Sequence, residues 1–173
     1  FKERQEDGYD AIMTNEKDVV LVGFSADCVL IYFYDKVKNA IAIAHSGWRG
    51  TVLGIGGKVV KRMKEEFGSN PEDIVCGIAP AIGVDHFQVD IPVVTAFRQA
   101  YDWADKFIYP DENMAERWFI DLHSINEEIL VNEGIKRENI ENSRICTQCD
   151  PDRFFSHRVM GAKRGTLAGF MSL

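Results

Sequence analysis

The chain has 173 residues, 46% of them hydrophobic and 27% charged, which is sufficient for one folded domain with a sizeable core. Its net charge of -7 repels phosphate backbones, so we expect no nucleic-acid partner, although a locally positive pocket can hold a small anion. No apolar run is long enough to span a membrane, no signal peptide is visible, and the four cysteines do not suggest a disulfide framework. We therefore expect a cytoplasmic protein with no membrane partner.

Short β-branched and aromatic runs predict strands over 10–14, 19–24, 29–34 and 40–44. An amphipathic stripe then predicts one long helix over 49–67, with Gly68 as its end. Farther along, we predict strands over 74–78, 118–122, 144–147 and 165–170, a helix over 91–101, and a helix from a Ser124 cap to Asn132. Because many strands follow one another directly, the sequence favours an α+β fold, with mixed β-sheets covered by α-helices.

Cys28 and His45 are the first candidate functional residues. Cys28 follows a polar Ser-Ala-Asp break between two apolar runs, and His45 ends a buried strand. Cysteine and histidine are ligands that zinc and copper prefer, and a pair on neighbouring strands can converge on one ion. The structural alternative is a buried free cysteine and a histidine satisfied within the core.

A turn from strand to helix follows, with Ser46, Trp48 and Arg49 as candidate contacts. A helix start offers unpaired N–H groups, and Arg49 adds a planar set of donors, so the turn can cradle a phosphate or an oxyanion. We count Arg49 with Cys28 and His45 as candidate catalytic residues, and Ser46 and Trp48 as candidate substrate contacts. The alternative is an ordinary glycine-rich turn with Arg49 on the surface.

Three later segments are less specific. Gly83 follows a strand and can form a pocket wall, while His86 beside it is interpreted as a pocket or surface residue. Phe155 and Arg158 can hold a flat base or a sugar phosphate, or they can belong to core and surface respectively. Cys146 and Cys149 form a lone CxxC without a partner pair, which we interpret as structural.

Six segments together resemble the YfiH-type family, also called the laccase-domain or multicopper polyphenol oxidase family. They occur in the family's order and span nearly the whole chain. They are DAIMT at 10–14, SADC at 25–28, AHSGWRG at 44–50, APAIG at 79–83, CT at 146–147, and FFSHR at 154–158 with Arg164 beyond.

The resemblance implies a single YfiH-like domain over 1–173 and a metal site of two histidines and one cysteine. Cys28 and His45 match two of these ligands. The family's other histidine belongs to a His-Gly motif upstream of the segment matching Asp10, so we expect the chain to lack an N-terminal segment of the family. Nothing in the spacing of His86 or His123 argues that either substitutes for it. Ala79 and His157 depart from the family's usual Gly and Tyr.

The family is described as purine nucleoside phosphorylases that also deaminate adenosine. The resemblance thus implies zinc, with copper possible, and a purine nucleoside and phosphate as ligands of a monomer or homodimer. One alternative is a copper-dependent polyphenol oxidase, although four histidines are few for a multicopper cluster. Others are a hydrolase that edits cell-wall precursors with Cys28 as nucleophile and His45 as base, and a non-catalytic binding module.

Overall fold

The computed structural model describes residues 8–173, so residues 1–7 of the predicted domain lie outside the described residues. Its strands are β1 Ala11–Thr14, β2 Val20–Ser25, β3 Val29–Asp35, β4 Ala40–Ser46, β5 Ile74–Ile78, β6 Gln88–Asp90, β7 Ile108–Pro110, β8 Arg117–Ile120, β9 Ile140–Asn142 and β10 Leu167–Ser172. Its α-helices are α1 Trp48–Val52, α2 Ile55–Phe67, α3 Ile91–Ala100, α4 Leu122–Asn132 and α5 His157–Met160.

A five-stranded sheet in the order β1-β4-β3-β5-β9 forms the centre of the fold. Neighbouring strands are antiparallel except for β5 and β9, which run parallel. The pairing of β3 with β4 places Leu30 opposite His45 and Val29 opposite Ser46, so the carboxyl end of β4 lies beside the beginning of β3. This register brings the segment that contains Cys28 next to the one that contains His45.

Successive side chains of the central sheet point to opposite faces, and each face packs against an apolar layer. Ala40, Ala42 and Ala44 of β4 belong to the larger core, which also contains residues of α2 and α4. Ile41 and Ile43 point the other way and pack with Leu21 of β2 and Leu30 of β3. Strands β2 and β10 pair antiparallel as a two-stranded sheet over this second face.

A small antiparallel sheet in the order β6-β8-β7 lies beside the main core. Val89 of β6 and Ile120 of β8 are buried in the larger core, which also includes Val94 and Phe97 of α3. The small sheet thus places β6, β8 and the start of α3 next to the Cys28 segment.

The predicted α+β architecture is confirmed, but the predicted helix over 49–67 is wrong in one respect. It is two helices, α1 and α2, separated at Gly54, whose φ of 68° is left-handed. Glycine takes this conformation without the Cβ clash that other residues meet, so the chain turns there and restarts with the N–H of Lys58 bonded to the carbonyl of Gly54.

Two other predicted boundaries also differ. The segment 144–147 is no strand, because Arg144 has a φ of 54°, and Cys146 forms only an isolated bridge with Ala81. The strand lies earlier, at β9. Helix α4 begins at Leu122, because the Asp121 side chain rather than that of Ser124 is the cap and accepts the Ser124 N–H at 2.9 Å.

Among residues 8–173, no helix combines the length and the apolar character needed to cross a membrane.

Candidate active site

A cavity of about 490 Å³ opens beside Cys28. It lies between the link from β2 to β3, the start of α1, the segment 82–93, strand β8 and the segment that contains α5. A volume of this size is in the range of small-molecule sites. Its apolar lining consists of Ala26, Trp48, Ile82, Phe87, Val89, Val93 and Leu122.

The turn that presents Cys28 is held by Asp27. This residue has a φ of 76°, an unusual conformation outside glycine, and its side chain is buried. Its carboxylate accepts hydrogen bonds from the Thr147 hydroxyl at 2.6 Å, the Ser156 hydroxyl at 3.0 Å and the Arg158 backbone N–H at 2.7 Å. Asp27 therefore ties the Cys28 turn to Thr147 and to the start of α5.

Cys28 lines the cavity and is partly buried. Burial raises the pKa of its thiol, and the neighbouring Asp27 carboxylate raises it further, whereas Arg164 acts in the opposite direction. The net pKa lies above the ordinary value. Without a metal ion the protonated thiol is therefore the stable form at neutral pH, which disfavours a free thiolate nucleophile.

His45 is oriented by Asp10 at both backbone and side chain. The His45 N–H donates to the Asp10 carbonyl at 2.7 Å, and its Nδ1 lies 3.3 Å from the Asp10 Oδ1. A carboxylate only accepts, so this contact places the proton on Nδ1 and leaves Nε2 as the free lone pair. This is the arrangement of a metal-binding histidine whose second nitrogen is held by a carboxylate.

Cys28 and His45 meet at Gly47. A Cβ placed on Gly47 would lie 3.1 Å from the Cys28 Sγ and 3.5 Å from the His45 Cε1. The two side chains nevertheless open onto different depressions, because Cys28 lines the large cavity and His45 lines a neighbouring one of about 270 Å³ with Tyr9 and Phe24. They are adjacent at the boundary between the two depressions.

Ser46 does not line the cavity. It is fully buried, and its hydroxyl donates to the Asn126 Oδ1 at 2.7 Å and lies 3.0 Å from the Thr51 Oγ1. The Asn126 amide in turn donates to the Leu122 carbonyl at 2.8 Å. The structure therefore gives the Ser46 side chain a role in joining β4, α1 and α4 rather than a position in the cavity.

Trp48 lines the cavity, whereas Arg49 does not. The Arg49 guanidinium is exposed and lies 4.3 Å from the centroid of the Trp48 ring, in a cation–π contact. The expected anion cradle at Arg49 is therefore displaced from the cavity. The helix that starts here has only five residues and turns the Arg49 side chain towards solvent.

Other arginines line the cavity instead: Arg117, Arg158 and Arg164. The Arg158 Nη1 donates to the His86 carbonyl at 2.9 Å, which fixes its position at the wall. The Arg164 Nε donates to the His157 Nδ1 at 3.2 Å, so His157 carries its proton on Nε2. Arg117 lies 3.8 Å from the Asp90 carboxylate, which also lines the cavity, whereas Arg158 and Arg164 each keep N–H donors that these contacts do not engage and that can bind an anion.

Gly83 and Phe155 do not line the cavity. A Cβ on Gly83 would lie 3.0 Å from the Cβ of Cys146, so this glycine allows close packing against the CxxC segment. The Phe155 ring lies over Gly165, where an added Cβ would approach it to 2.7 Å, and it remains exposed. Of the five predicted substrate contacts, the structure brings Trp48 and Arg158 together in the cavity.

A second group lies outside the cavity lining and consists of His86, Cys146 and Cys149. The His86 Nδ1 is 3.6 Å from the Cys146 Sγ and 3.7 Å from the Cys149 Sγ. The ligand atoms of the three residues all lie within 4.8 Å of one another, so the group can bind a metal ion. Folding thus brings His86 to the CxxC from 60 residues away along the chain, a proximity that the interpretations of His86 as a pocket or surface residue and of the CxxC as structural do not include.

Sequence reasoning gave no role in the cavity to several of its residues. Arg117 stands in no recognisable motif, and its place follows only from the pairing of β8 with β6. Asp27 belongs to the matched segment 25–28. An aspartate directly before a candidate metal-binding residue can indicate a turn that is held by its carboxylate. Arg164 and His157 also lay in the resemblance, but no local pattern indicates that they contact each other.

The fold is that of a YfiH-like protein. The profile of the family described as multi-copper polyphenol oxidoreductase laccase matches residues 2–173, and the chain belongs to this family. The structure also resembles that of a hypothetical protein YfiH from Bacillus licheniformis, with a TM-score of 0.90 and 37% identity over 95% of this chain and 61% of that one.

Two relatives with named activities are similar over nearly the whole chain. The purine nucleoside phosphorylase YlmD of Bacillus subtilis (strain 168) is 39% identical over 164 residues, which are 95% of this chain and 58% of that protein. The adenosine deaminase RL5 of an unknown prokaryotic organism is 33% identical over 159 residues, 92% of this chain and 60% of that protein. The chain thus spans about three-fifths of the length of these relatives.

Proposed function

We propose that the protein is a purine nucleoside phosphorylase that also deaminates adenosine, with zinc bound by Cys28 and His45. The observation that carries the proposal is the juxtaposition of the two ligand side chains at Gly47, beside a cavity with aromatic and arginine lining. The named activities of the two relatives support the same conclusion. The cytoplasm, where nucleosides and phosphate are both available, is the compartment we propose.

The donor set fits zinc. A thiolate and an imidazole nitrogen are ligands that zinc prefers, and the Asp10 contact leaves the His45 Nε2 free for a metal. When bound, zinc supplies Lewis-acid activation of water, which suits hydrolytic removal of the adenine amino group. Two ligands leave room for a third from the family's His-Gly motif, which precedes the matched segments.

The cavity residues have separate tasks in this proposal. The faces of Trp48 and Phe87 provide apolar surface for a flat purine base. The guanidinium groups of Arg117, Arg158 and Arg164 attract phosphate and neutralise its charge while it attacks the ribose C1′. The attack forms the C1′–O bond, breaks the C1′–N9 bond and leaves the electron pair on the base, which then takes a proton. His157, whose neutral ring carries its proton on Nε2, is a candidate to donate a hydrogen bond to the departing base, while water supplies the proton that the base takes up.

The metal-ligand role of Cys28 is favoured over a nucleophilic one. Its raised pKa keeps the thiol protonated in the absence of a metal, whereas a bound zinc ion would favour the thiolate. The contact of Asp10 with the His45 Nδ1 does not separate the two roles, because it leaves the Nε2 free either to bind a metal or to act as a base.

The test is phosphorolysis by the full-length, zinc-loaded protein. We expect inosine to release hypoxanthine only when phosphate is present, and adenosine to be deaminated without phosphate. Cys28→Ser and His45→Ala should each lower both rates more than about 100-fold, because loss of a ligand removes the metal or misplaces it.

Cys76→Ala is the matched control, since Cys76 is a cysteine buried in β5 and does not line the cavity. It should retain both activities. Failure of the zinc-loaded wild-type protein to release base from inosine in phosphate would refute the phosphorylase. Covalent trapping of Cys28 by an electrophilic substrate analogue would instead support the hydrolase alternative.

A further inference from the structure

The geometry of the His86, Cys146 and Cys149 group matches a tetrahedral zinc site. With Zn–N near 2.05 Å and Zn–S near 2.3 Å, two ligands at a tetrahedral angle lie about 3.6 Å apart. The observed separations from the His86 Nδ1 are 3.6 Å to the Cys146 Sγ and 3.7 Å to the Cys149 Sγ. The two sulfur atoms are thus equally placed around one nitrogen, as they would be around one ion.

A backbone hydrogen bond holds the Cys146 sulfur in place. The backbone N–H of Gly83 donates to the Cys146 Sγ at 3.2 Å, the kind of outer contact that supports a metal-bound sulfur. A side chain at position 83 would crowd this sulfur, because an added Cβ would lie 3.2 Å from it. The glycine and its N–H therefore fit around a sulfur that must stay in one position.

The same group is connected to the cavity along two paths. Thr147, inside the CxxC, donates to Asp27, the residue that holds the Cys28 turn. The carbonyl of His86 accepts a hydrogen bond from the Arg158 guanidinium, which lines the cavity wall. An ion on these three ligands would fix both connections at once.

We propose that His86, Cys146 and Cys149 bind a structural zinc ion, separate from the Cys28–His45 pair, that fastens the 146–158 segment to the segment 83–88. Its role is to hold Asp27 and Arg158 in the positions that shape the cavity. Water would take the fourth coordination position.

The chemistry of the three ligands selects zinc over harder ions. Two sulfurs and one imidazole nitrogen suit zinc, whereas calcium and magnesium require oxygen ligands. The two-residue spacing between the cysteines is the spacing of zinc knuckles. The alternative for such a pair is a disulfide between Cys146 and Cys149. A disulfide does not account for the His86 Nδ1, which lies at nearly the same distance from both sulfur atoms.

The experiment measures zinc per chain in the full-length protein after loading with zinc and desalting. Cys149→Ser should remove one equivalent of zinc, and His86→Gln should do the same. Both changes are also made in a Cys28→Ser/His45→Ala background, where the zinc that remains belongs to the proposed structural site. The proposal therefore survives even if the proposed phosphorylase fails. Cys76→Ala should lose no zinc.

Two further measurements test the site and its role. Cobalt loading should give thiolate-to-cobalt absorption in the Cys28→Ser/His45→Ala protein, and Cys149→Ser should weaken it. Hydrogen exchange of the 146–158 segment should speed up when the metal is removed, whereas that of α2 should not change.

Three results would overturn the proposal. One is an unchanged zinc content in Cys149→Ser and His86→Gln in both backgrounds. Another is a Cys146–Cys149 disulfide in protein isolated under reducing conditions. The third is an equal rate of hydrogen exchange in the 146–158 segment with and without metal, which would show that the ion does not stabilise this segment.

Discussion

At the scale of single residues, Asp27 anchors the turn that places Cys28. Its left-handed backbone conformation costs free energy in a residue with a Cβ, and such strain persists only where the surroundings hold it. The surroundings here are the three hydrogen bonds from Thr147, Ser156 and Arg158 to its buried carboxylate. The strain and the bonds together set the direction in which Cys28 points.

We expect Asp27→Ala to lower the free energy of unfolding by about 2–4 kcal/mol, because three buried donors lose their acceptor. In Asp27→Asn the pKa of Cys28 should fall, since the carboxylate is one of the groups that raise it. Urea unfolding measures the first effect, and the pH dependence of Cys28 alkylation in metal-free protein measures the second. An unchanged Cys28 pKa in Asp27→Asn would contradict the proposed electrostatic contact.

At the scale of elements, the two-stranded sheet packs closely on the central sheet through Gly169. Gly169 of β10 lies opposite Gly23 of β2, and a Cβ on Gly169 would collide with the Tyr32 hydroxyl of β3. A Cβ on Gly23 would lie 2.8 Å from the Ile43 Cγ2. This pair of glycines lets β2 and β10 approach β3 and β4, and so fixes the start of the turn that leads to Cys28.

Gly169→Ala should therefore destabilise the chain by about 1–3 kcal/mol, the usual cost of overpacking. Gly77→Ala is the matched control, because an added Cβ there would contact the same tyrosine at an ordinary 3.8 Å. The control should be neutral or slightly stabilising. Thermal or urea unfolding of the two variants compares them, and an equal loss of stability in both would disprove the close packing.

At the scale of the whole molecule, one apolar core joins the central sheet, the helices and the small sheet. It extends from Val29 of β3 to Ile135, and the three tryptophans Trp48, Trp103 and Trp118 all pack against it. A second, smaller apolar layer lies between β2 and the central sheet. This continuity supports our expectation of one domain.

The 173-residue chain should then unfold in a single cooperative transition. Tryptophan fluorescence reports the surroundings of the three indoles, and far-ultraviolet circular dichroism reports the strands and helices. The two transitions in urea should coincide. Separate midpoints would mean that the small sheet or the β2–β10 layer unfolds independently.

Local sequence patterns determined most elements, because the apolar runs of β2, β3, β4 and β5 are dictated by burial on a pleated surface. Motifs likewise identified the family, and they predicted Cys28 and His45 as candidate site residues. The helix break at Gly54 was missed because an isolated glycine inside a helical pattern is tolerated and does not by itself mark a break.

Only the tertiary structure decided which residues share a site. Arg117 and Arg164 meet at the cavity, and His86 meets the CxxC, because strand pairing and loop anchoring bring distant segments together. The tertiary structure also places Ser46 and Arg49 outside the cavity lining. The Ser46 side chain belongs to a buried hydrogen-bond network, and the Arg49 side chain points towards solvent. A sequence fixes periodicity and chemistry along the chain, whereas the direction of each side chain depends on the packing of elements that are far apart in it.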